Sequence, residues 1–215
     1  MAHDGTSALV GARRLILATS ADNLPDEFRE TGFYPCSAEA TLRTLQEAGL
    51  WIGPQDALEQ QPAYRQIIPY VILRVRDRFV RYTRSVTGSE KRLHGRMSIG
   101  LGGHVELSDV LAAGSGIDLA GTLEKAAQRE LNEELGNIDC LLRDWIGVLV
   151  DNRNAVGRVH IGVVGLWTVR STPCGAAEDA INNIALCSIE ELQLMRDRLE
   201  GWSEMLLPHL QISKQ

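Results

Sequence analysis

Three carboxylates within five residues of a helix-forming stretch constrain this chain more than any other feature. The stretch Gln128-Arg129-Glu130-Leu131-Asn132-Glu133-Glu134-Leu135-Gly136 belongs to a helix that we expect to begin near Thr122, its predicted N-cap. At roughly 100° per residue, one helix face collects the apolar side chains Leu123, Ala126, Ala127, Leu131 and Leu135. Glu130 and Glu134 lie in the middle of this inward face and Glu133 lies on its flank.

Inward-facing carboxylates require a partner, because burying an unpaired charge is costly. A divalent cation would satisfy all three, and hard oxygen ligands suit Mg²⁺ or Mn²⁺. We therefore predict Glu130, Glu133 and Glu134 as metal ligands. The alternative is a solvated acidic helix in which Arg129 pairs with Glu133 at i,i+4.

The same residues resemble the signature of Nudix hydrolases. That family's box runs G-x5-E-x7-R-E-U-x-E-E-x-G-U, where U is aliphatic, and Gly102-Gly103 lies upstream of the matching second half here. The matching residues are Arg129, Glu130, Leu131, Glu133, Glu134, Gly136 and, after one additional residue, Ile138.

The first half of the box departs from the family pattern. Counting back from Arg129 places Gly121 where the family has a glutamate, and Gly103 lies eighteen residues before Gly121 instead of six. We therefore expect an insertion of twelve residues within 104–121 that projects as a mobile flap near the site. The family's glutamate orients the arginine, and we expect Asp118 to replace it. Glu124 is the alternative, but it lies about 140° from Arg129 around the helix.

The resemblance covers about 66–200 and implies an α+β fold, an α/β/α sandwich with a mixed β-sheet. We expect an N-terminal extension or subdomain at 1–64 and the Nudix-like domain at 65–215. The implied activity is Mg²⁺-dependent (or Mn²⁺-dependent) hydrolysis of a diphosphate linkage in a nucleoside diphosphate derivative or similar phosphoanhydride. The residues expected to be catalytic are Arg129, Glu130, Glu133 and Glu134. Those expected to bind substrate are Gly102, Gly103, His104, Arg84 and Arg96, and further carboxylates considered as the base are Glu178, Asp179 and Glu190.

Local patterns predict the elements around this helix. A hairpin is expected from Ile67–Val75 and Arg78–Arg84, and Pro69 places the start of its first strand near a sheet edge. Other predicted segments are a helix at Ala38–Ala48 capped by Ser37, strands at 138–151 and 158–169, and helices at 189–199 and 202–210. His160, between apolar neighbours, is interpreted as a hydrogen-bonded strand residue and not a metal ligand. The basic run at 84–96 either is solvated or meets substrate phosphates.

Composition limits the class of protein. Of 215 residues, 44% are hydrophobic and 23% charged, as in soluble globular chains, and a net charge of −6 disfavours nonspecific binding to nucleic acid or anionic membranes. The four cysteines show no C-x-x-C spacing, and we find no signal peptide or apolar span of eighteen residues. We expect a cytoplasmic protein that acts on a small phosphorylated molecule, with no membrane and no stable nucleic-acid partner, and a homodimer is left open.

Two other functions fit parts of the pattern. A catalytically weak sensor that binds a nucleotide on the same fold is the main alternative, because Gly121 removes the family's glutamate. An isomerase of isoprenyl diphosphates would need a positioned cysteine and glutamate, and Cys140 follows the acidic helix.

Overall fold

The computed structural model describes residues 13–85, 95–173 and 181–210. In chain order its strands are β1 (Leu15–Ser20), β2 (Gly32–Pro35), β3 (Leu50–Pro54), β4 (Tyr64–Val75), β5 (Arg78–Arg84), β6 (Met97–Ser98), β7 (Gly100–Gly102), β8 (Ala112–Ala113), β9 (Gly116–Ile117), β10 (Cys140–Val150), β11 (His160–Val169) and β12 (Ile181–Cys187). Its helices are α1 (Ala38–Ala48), α2 (Gln55–Leu58), α3 (Leu119–Leu135), α4 (Ala155–Arg158), α5 (Ile189–Leu194) and α6 (Gly201–Leu206).

Ten of these strands form one mixed sheet with the central order β12-β5-β4-β11-β10-β2. Strands β4 and β11 are parallel to each other, and the other strand pairs of the sheet are antiparallel. Off this path, β1 pairs with β3 and β4, β6 with β5, and β7 with β4. The short strands β8 and β9 form a separate hairpin. The expected mixed sheet is therefore confirmed.

Two apolar layers cover the sheet. On one face, α1 packs against β10 and α3 packs against β4, in one apolar cluster that includes Leu45, Leu123, Val71 and Val163. On the other face, the C-terminal helices pack through side chains that include Leu192 and Leu206. Since each face of the sheet is closed by helices, the α/β/α arrangement is confirmed.

The predicted hairpin is β4–β5, and Arg76 in its turn has a φ of 56°. The expectation that Pro69 lies near a sheet edge is wrong, because β4 is a central strand. On the side away from β11, β4 pairs with β1 as far as Gln66 and with β7 from Tyr70 onward. Pro69 lies between these two ladders, where a residue without an N–H group is tolerated.

Helix α3 begins earlier than predicted. Asp118 is its N-cap and accepts a hydrogen bond from the Gly121 amide. Thr122 lies inside the helix, where its hydroxyl accepts a hydrogen bond from the Leu111 amide. The expected cap at Thr122 is therefore wrong, because the turn that includes Gly121 is already helical. At the other end Gly136 has a φ of 76° and terminates the helix, as a C-terminal glycine commonly does.

The N-terminal segment contributes to the same sheet. Strand β1 pairs with the start of β4, and β2 pairs with the end of β10. The predicted helix α1 has Ser37 as its N-cap, and the Ser37 hydroxyl accepts a hydrogen bond from Ala40. In the part of the chain described, no helix has both the length and the apolar character needed to cross a membrane.

Candidate active site

Three of the glutamates of α3, Glu130, Glu133 and Glu134, occupy the positions that the helical period predicts. The side chains of Glu130 and Glu134 are only 14% and 12% exposed, whereas that of Glu133 is 47% exposed. Their apolar neighbours on the helix are buried, including Leu131 and Leu135. Two carboxylates therefore lie at the boundary between helix and sheet and the third lies at its rim.

A glycine makes room for the first of these carboxylates. A Cβ atom added to Gly103 would lie 1.9 Å from Cδ of Glu130, a distance at which the two groups overlap. Gly103 follows β7, so the end of this strand holds the Glu130 carboxylate against bare backbone. Gly102 is also crowded, since its Cβ would lie 3.0 Å from the Pro69 carbonyl oxygen. Both glycines were expected near the substrate, and the structure places Gly103 in contact with the acidic cluster.

Arg129 is held by an aspartate that was not predicted. Its Nε and Nη2 atoms donate to the two carboxylate oxygens of Asp109, at 3.1 and 2.9 Å. Its Nη1 donates to Glu130 at 2.8 Å and to Glu133 at 3.1 Å, and its Nη2 also donates to the His104 carbonyl at 2.8 Å. Asp109 is 2% exposed. Arg129 thus joins two glutamates to a buried partner, and these contacts raise its pKa even though burial lowers it.

The proposed substitutes for the family's glutamate are both wrong. Asp118 caps α3, and Glu124 lies 3.5 Å from Arg143 of β10. The family's spacing does not hold backward from Arg129, because the additional residues lie between Asp109 and Arg129. Counting forward from Gly103 by the family's spacing reaches Asp109 directly, so the first half of the box is present with aspartate in place of glutamate. The additional residues lie after Asp109, where they form the β8–β9 hairpin and the first turn of α3.

Arg84 approaches the cluster from β5. Its Nη1 lies 3.7 Å from Oε1 of Glu134, and its Cζ lies 5.2 Å from the centre of the Tyr82 ring. The Tyr82 hydroxyl donates to the Gly100 carbonyl at 2.7 Å, and burial raises its pKa. Arg96, the other predicted substrate residue of this region, is exposed and donates to the Asp197 carbonyl. The structure therefore brings Arg84 to the glutamates and directs Arg96 toward the C-terminal helices; Lys91, Arg92 and His94 fall outside the described residues.

His104 contributes its carbonyl to the site by accepting from Arg129, whereas its ring contacts Gln66 and His160. Its Nε2 lies 2.7 Å from Oε1 of Gln66 and 3.3 Å from Nε2 of His160. His160 Nδ1 lies 2.7 Å from the Val156 carbonyl and therefore donates to it, as expected for a hydrogen-bonded strand histidine. Burial, followed by His160, Arg14 and Arg129, lowers the pKa of His104 to about 3, so its ring is neutral at physiological pH.

The remaining predicted groups lie elsewhere or outside the described chain. Glu178 and Asp179 are not among the described residues. Glu190 is exposed in the first turn of α5, and a hydrogen bond from Ser188 lowers its pKa, which does not favour a general base. Burial raises the pKa of the Cys140 thiol, which disfavours the reactive thiolate that the isomerase hypothesis needs.

The donor chemistry of this cluster fits a hard divalent cation. Among the described residues, no three His, Cys, Asp or Glu side chains converge as a preformed metal site, and Glu130 and Glu134 each pair with an arginine. The glutamates nevertheless offer carboxylate oxygens around one turn of a helix, beside a glycine whose missing side chain leaves room for the Glu130 carboxylate. A groove of about 800 Å³ lies along the exposed side of α3 and is bordered by Leu111, Lys125, Arg129, Glu133 and Arg143.

Known proteins are similar to this chain in sequence and in fold. No protein-family model matches the sequence. The chain is 31% identical over 159 residues to Protein YmaB of Bacillus subtilis (strain 168), a match that covers 71% of this chain and 74% of the relative. The crystal structure of Tm1382, provisionally assigned as a Nudix hydrolase, is similar with a TM-score of 0.75 and 27% identity, over 91% of this chain and 97% of that one.

These likenesses extend beyond the region that carries the signature. Because only 9% of the chain lies outside the match to Tm1382, most of the N-terminal segment is shared with that protein. The relatives and the acidic box held together by Arg129 and Asp109 lead to one assignment. The chain belongs to the Nudix hydrolases, a family of pyrophosphohydrolases that act on phosphoanhydrides.

Proposed function

We propose that this protein hydrolyses the diphosphate linkage of a nucleoside diphosphate derivative in a reaction that depends on Mg²⁺ or Mn²⁺. The observation that carries this proposal is the intact set of Glu130, Glu133 and Glu134, oriented by an arginine with its own buried partner. Carboxylates are costly to hold together, and a site without catalytic use gains nothing from them. The expected substrate is a small phosphorylated molecule.

Glu130, Glu133 and Glu134 are the residues that would hold the cation. When bound, the cation supplies charge neutralisation at the diphosphate and lowers the pKa of the attacking water. The protein's own part is positioning, which provides most of the rate in phosphoryl chemistry. Asp109 fixes Arg129, Arg129 fixes Glu130 and Glu133, and Gly103 leaves the space in which the Glu130 carboxylate lies.

Exposure separates the roles of these carboxylates. Glu130 and Glu134, with side chains 14% and 12% exposed, are proposed as direct cation contacts. Glu133, 47% exposed at the rim, is proposed as a further cation contact or as the base that orients the attacking water.

The sensor alternative rested on the missing partner for Arg129. Asp109 occupies the family's spacing from Gly103 and contacts Arg129 through both carboxylate oxygens, which removes the reason for expecting a damaged site. The cytoplasmic location, the lack of a stable nucleic-acid partner and a homodimer stay predictions.

The test is hydrolysis of a panel of nucleoside diphosphate sugars, dinucleotides and dinucleoside polyphosphates with Mg²⁺ or Mn²⁺. Phosphorus NMR would detect the phosphate monoesters that cleavage releases. We expect at least one class to be cleaved by the wild type and spared by Glu134→Gln, which keeps the side chain's size. Tight binding of a nucleotide and Mg²⁺ with no monoester released over hours would refute the proposal in favour of the sensor.

A further inference from the structure

Arg84 stands beside Glu134, where the proposed function requires a cation. The two side chains are 22% and 12% exposed, and Nη1 of Arg84 lies 3.7 Å from Oε1 of Glu134. Arg84 ends β5 and lies outside the Nudix box. Its positive charge therefore reaches the acidic helix from a different element of the sheet.

The contact of Arg84 with Glu134 differs from that of Arg129 with Asp109. The Arg129 contacts are short, directed hydrogen bonds at 2.9 and 3.1 Å. The 3.7 Å separation at Arg84 exceeds the 2.7–2.9 Å of a charge-assisted hydrogen bond. Within the described residues, the buried Nε of Arg84 also has no hydrogen-bond partner. The Arg129 guanidinium is thus fixed by directed hydrogen bonds, whereas the Arg84 guanidinium is held to Glu134 mainly by charge attraction.

Tyr82 contacts the Arg84 guanidinium independently of Glu134. Its ring is fully buried, its hydroxyl is anchored on Gly100, and the guanidinium lies over its face. The charged head of a long cationic side chain can reorient while its aliphatic part stays packed. The planar fork of the guanidinium matches the oxygens of a phosphate, which makes arginine a common phosphate ligand.

We propose that the Arg84 guanidinium and a divalent cation compete for the Glu134 carboxylate, and that metal binding frees Arg84 to bind a phosphate of the substrate. Two cations beside one carboxylate repel each other, so the arriving ion displaces the more loosely held group. The released guanidinium then faces a site to which the diphosphate is drawn. This inference rests on the proposed function, and it makes Arg84 a substrate ligand whose availability depends on the metal.

The first test measures Mn²⁺ affinity by electron paramagnetic resonance at pH 8, with no phosphate compound present. Arg84→Gln removes the competing charge, and we expect Mn²⁺ to bind about ten-fold more tightly, the change that about 1.4 kcal/mol of lost competition produces. Arg84→Lys keeps the charge and should stay closer to the wild type. Arg81→Gln is the matched control, because Arg81 lies on the same strand and donates to the Asn183 carbonyl instead. Equal or weaker Mn²⁺ binding by a folded Arg84→Gln protein would overturn the competition.

The second test measures binding of methylenediphosphonate, a diphosphate mimic that is not hydrolysed, by calorimetry with saturating Mn²⁺. Arg84→Gln should bind it at least ten-fold more weakly than the wild type, in spite of the tighter metal. Unchanged affinity for the diphosphonate would overturn the phosphate role of Arg84. Neither measurement requires turnover, so failure of every compound in the hydrolysis panel would contradict the proposed function without altering these results.

Discussion

Replacing Asp109 with asparagine tests the centre of the site, because it removes one charge with almost no change in shape. Asp109 is 2% exposed, accepts from Nε and Nη2 of Arg129, and accepts from the Glu106 amide at 2.9 Å. An asparagine presents an N–H₂ group to one of these donors. Hydrogen bonds to charged groups contribute about 1.5–3 kcal/mol each. Because Arg129 keeps its contacts with Glu130 and Glu133, we expect a loss of about 2–3 kcal/mol.

Thermal unfolding and kinetics measure the two consequences separately. For a chain of this length, about 2–3 kcal/mol lowers Tm by roughly 4–12 °C. Misplacing Arg129 also misplaces Glu130 and Glu133, and a displacement near 1 Å costs about 10²-fold in turnover. We therefore expect Asp109→Asn to fold, melt at a lower temperature and lose about 10²-fold in kcat with saturating Mg²⁺.

The matched control is Asp118→Asn, which replaces a second aspartate in the segment between β7 and α3. Asp118 caps α3 through the Gly121 amide, and asparagine caps helices nearly as well as aspartate. We expect a change in Tm of only a few degrees and turnover within about two-fold of the wild type. Normal turnover by Asp109→Asn, or an equal loss in both variants, would refute the assignment of Asp109 as the residue that orients Arg129.

Three further predictions address the neighbouring groups. Gly103→Ala places a methyl group where the Glu130 carboxylate lies, so Mn²⁺ affinity measured by calorimetry should fall about ten-fold or more; unchanged affinity would contradict the close contact. The low pKa of His104 means that the unfolded chain takes up a proton below about pH 6.5 whereas the folded ring stays neutral. Stability is therefore fully present above that pH and falls as the pH drops toward 3, by about 3 kcal/mol between pH 7 and 4, and urea unfolding of His104→Asn should show a shallower pH dependence. Hydrogen exchange in the insertion at 110–121 should slow when a nucleotide and Mg²⁺ are added together; unchanged exchange would make it a passive surface loop.

The acidic helix was the most predictable part of the molecule, since the 3.6-residue period fixes which side chains share a face. That period placed Glu130 and Glu134 inward and Glu133 at the rim, as the structure has them. The hairpin β4–β5 and the helix α1 were predictable for the same reason, because both depend on local spacing and local end signals.

The partner of Arg129 was not predictable in this way, because it depends on contacts between distant residues. Arg129 and Asp109 are twenty residues apart, and the intervening insertion allows several alignments of the box. An alignment anchored at Arg129 points to Gly121, and only the fold shows that Asp109 contacts Arg129. The sheet position of Pro69 failed similarly, since a proline's tolerance in a central strand depends on which neighbouring strands reach it.

The pairing of β2 with β10 has a consequence for how the chain folds as it is made. Residues 32–35 find their partners at 147–150, more than one hundred residues later in the sequence. At a synthesis rate of about 5–20 residues per second, β2 waits roughly 6–23 seconds for β10 to be made. During that interval the apolar side chains of Phe28 and Phe33, buried in the finished fold, have no completed sheet to cover them. The order of translation therefore leaves β2 without its partner strand long after β1, in the same N-terminal segment, has its partners β3 and β4.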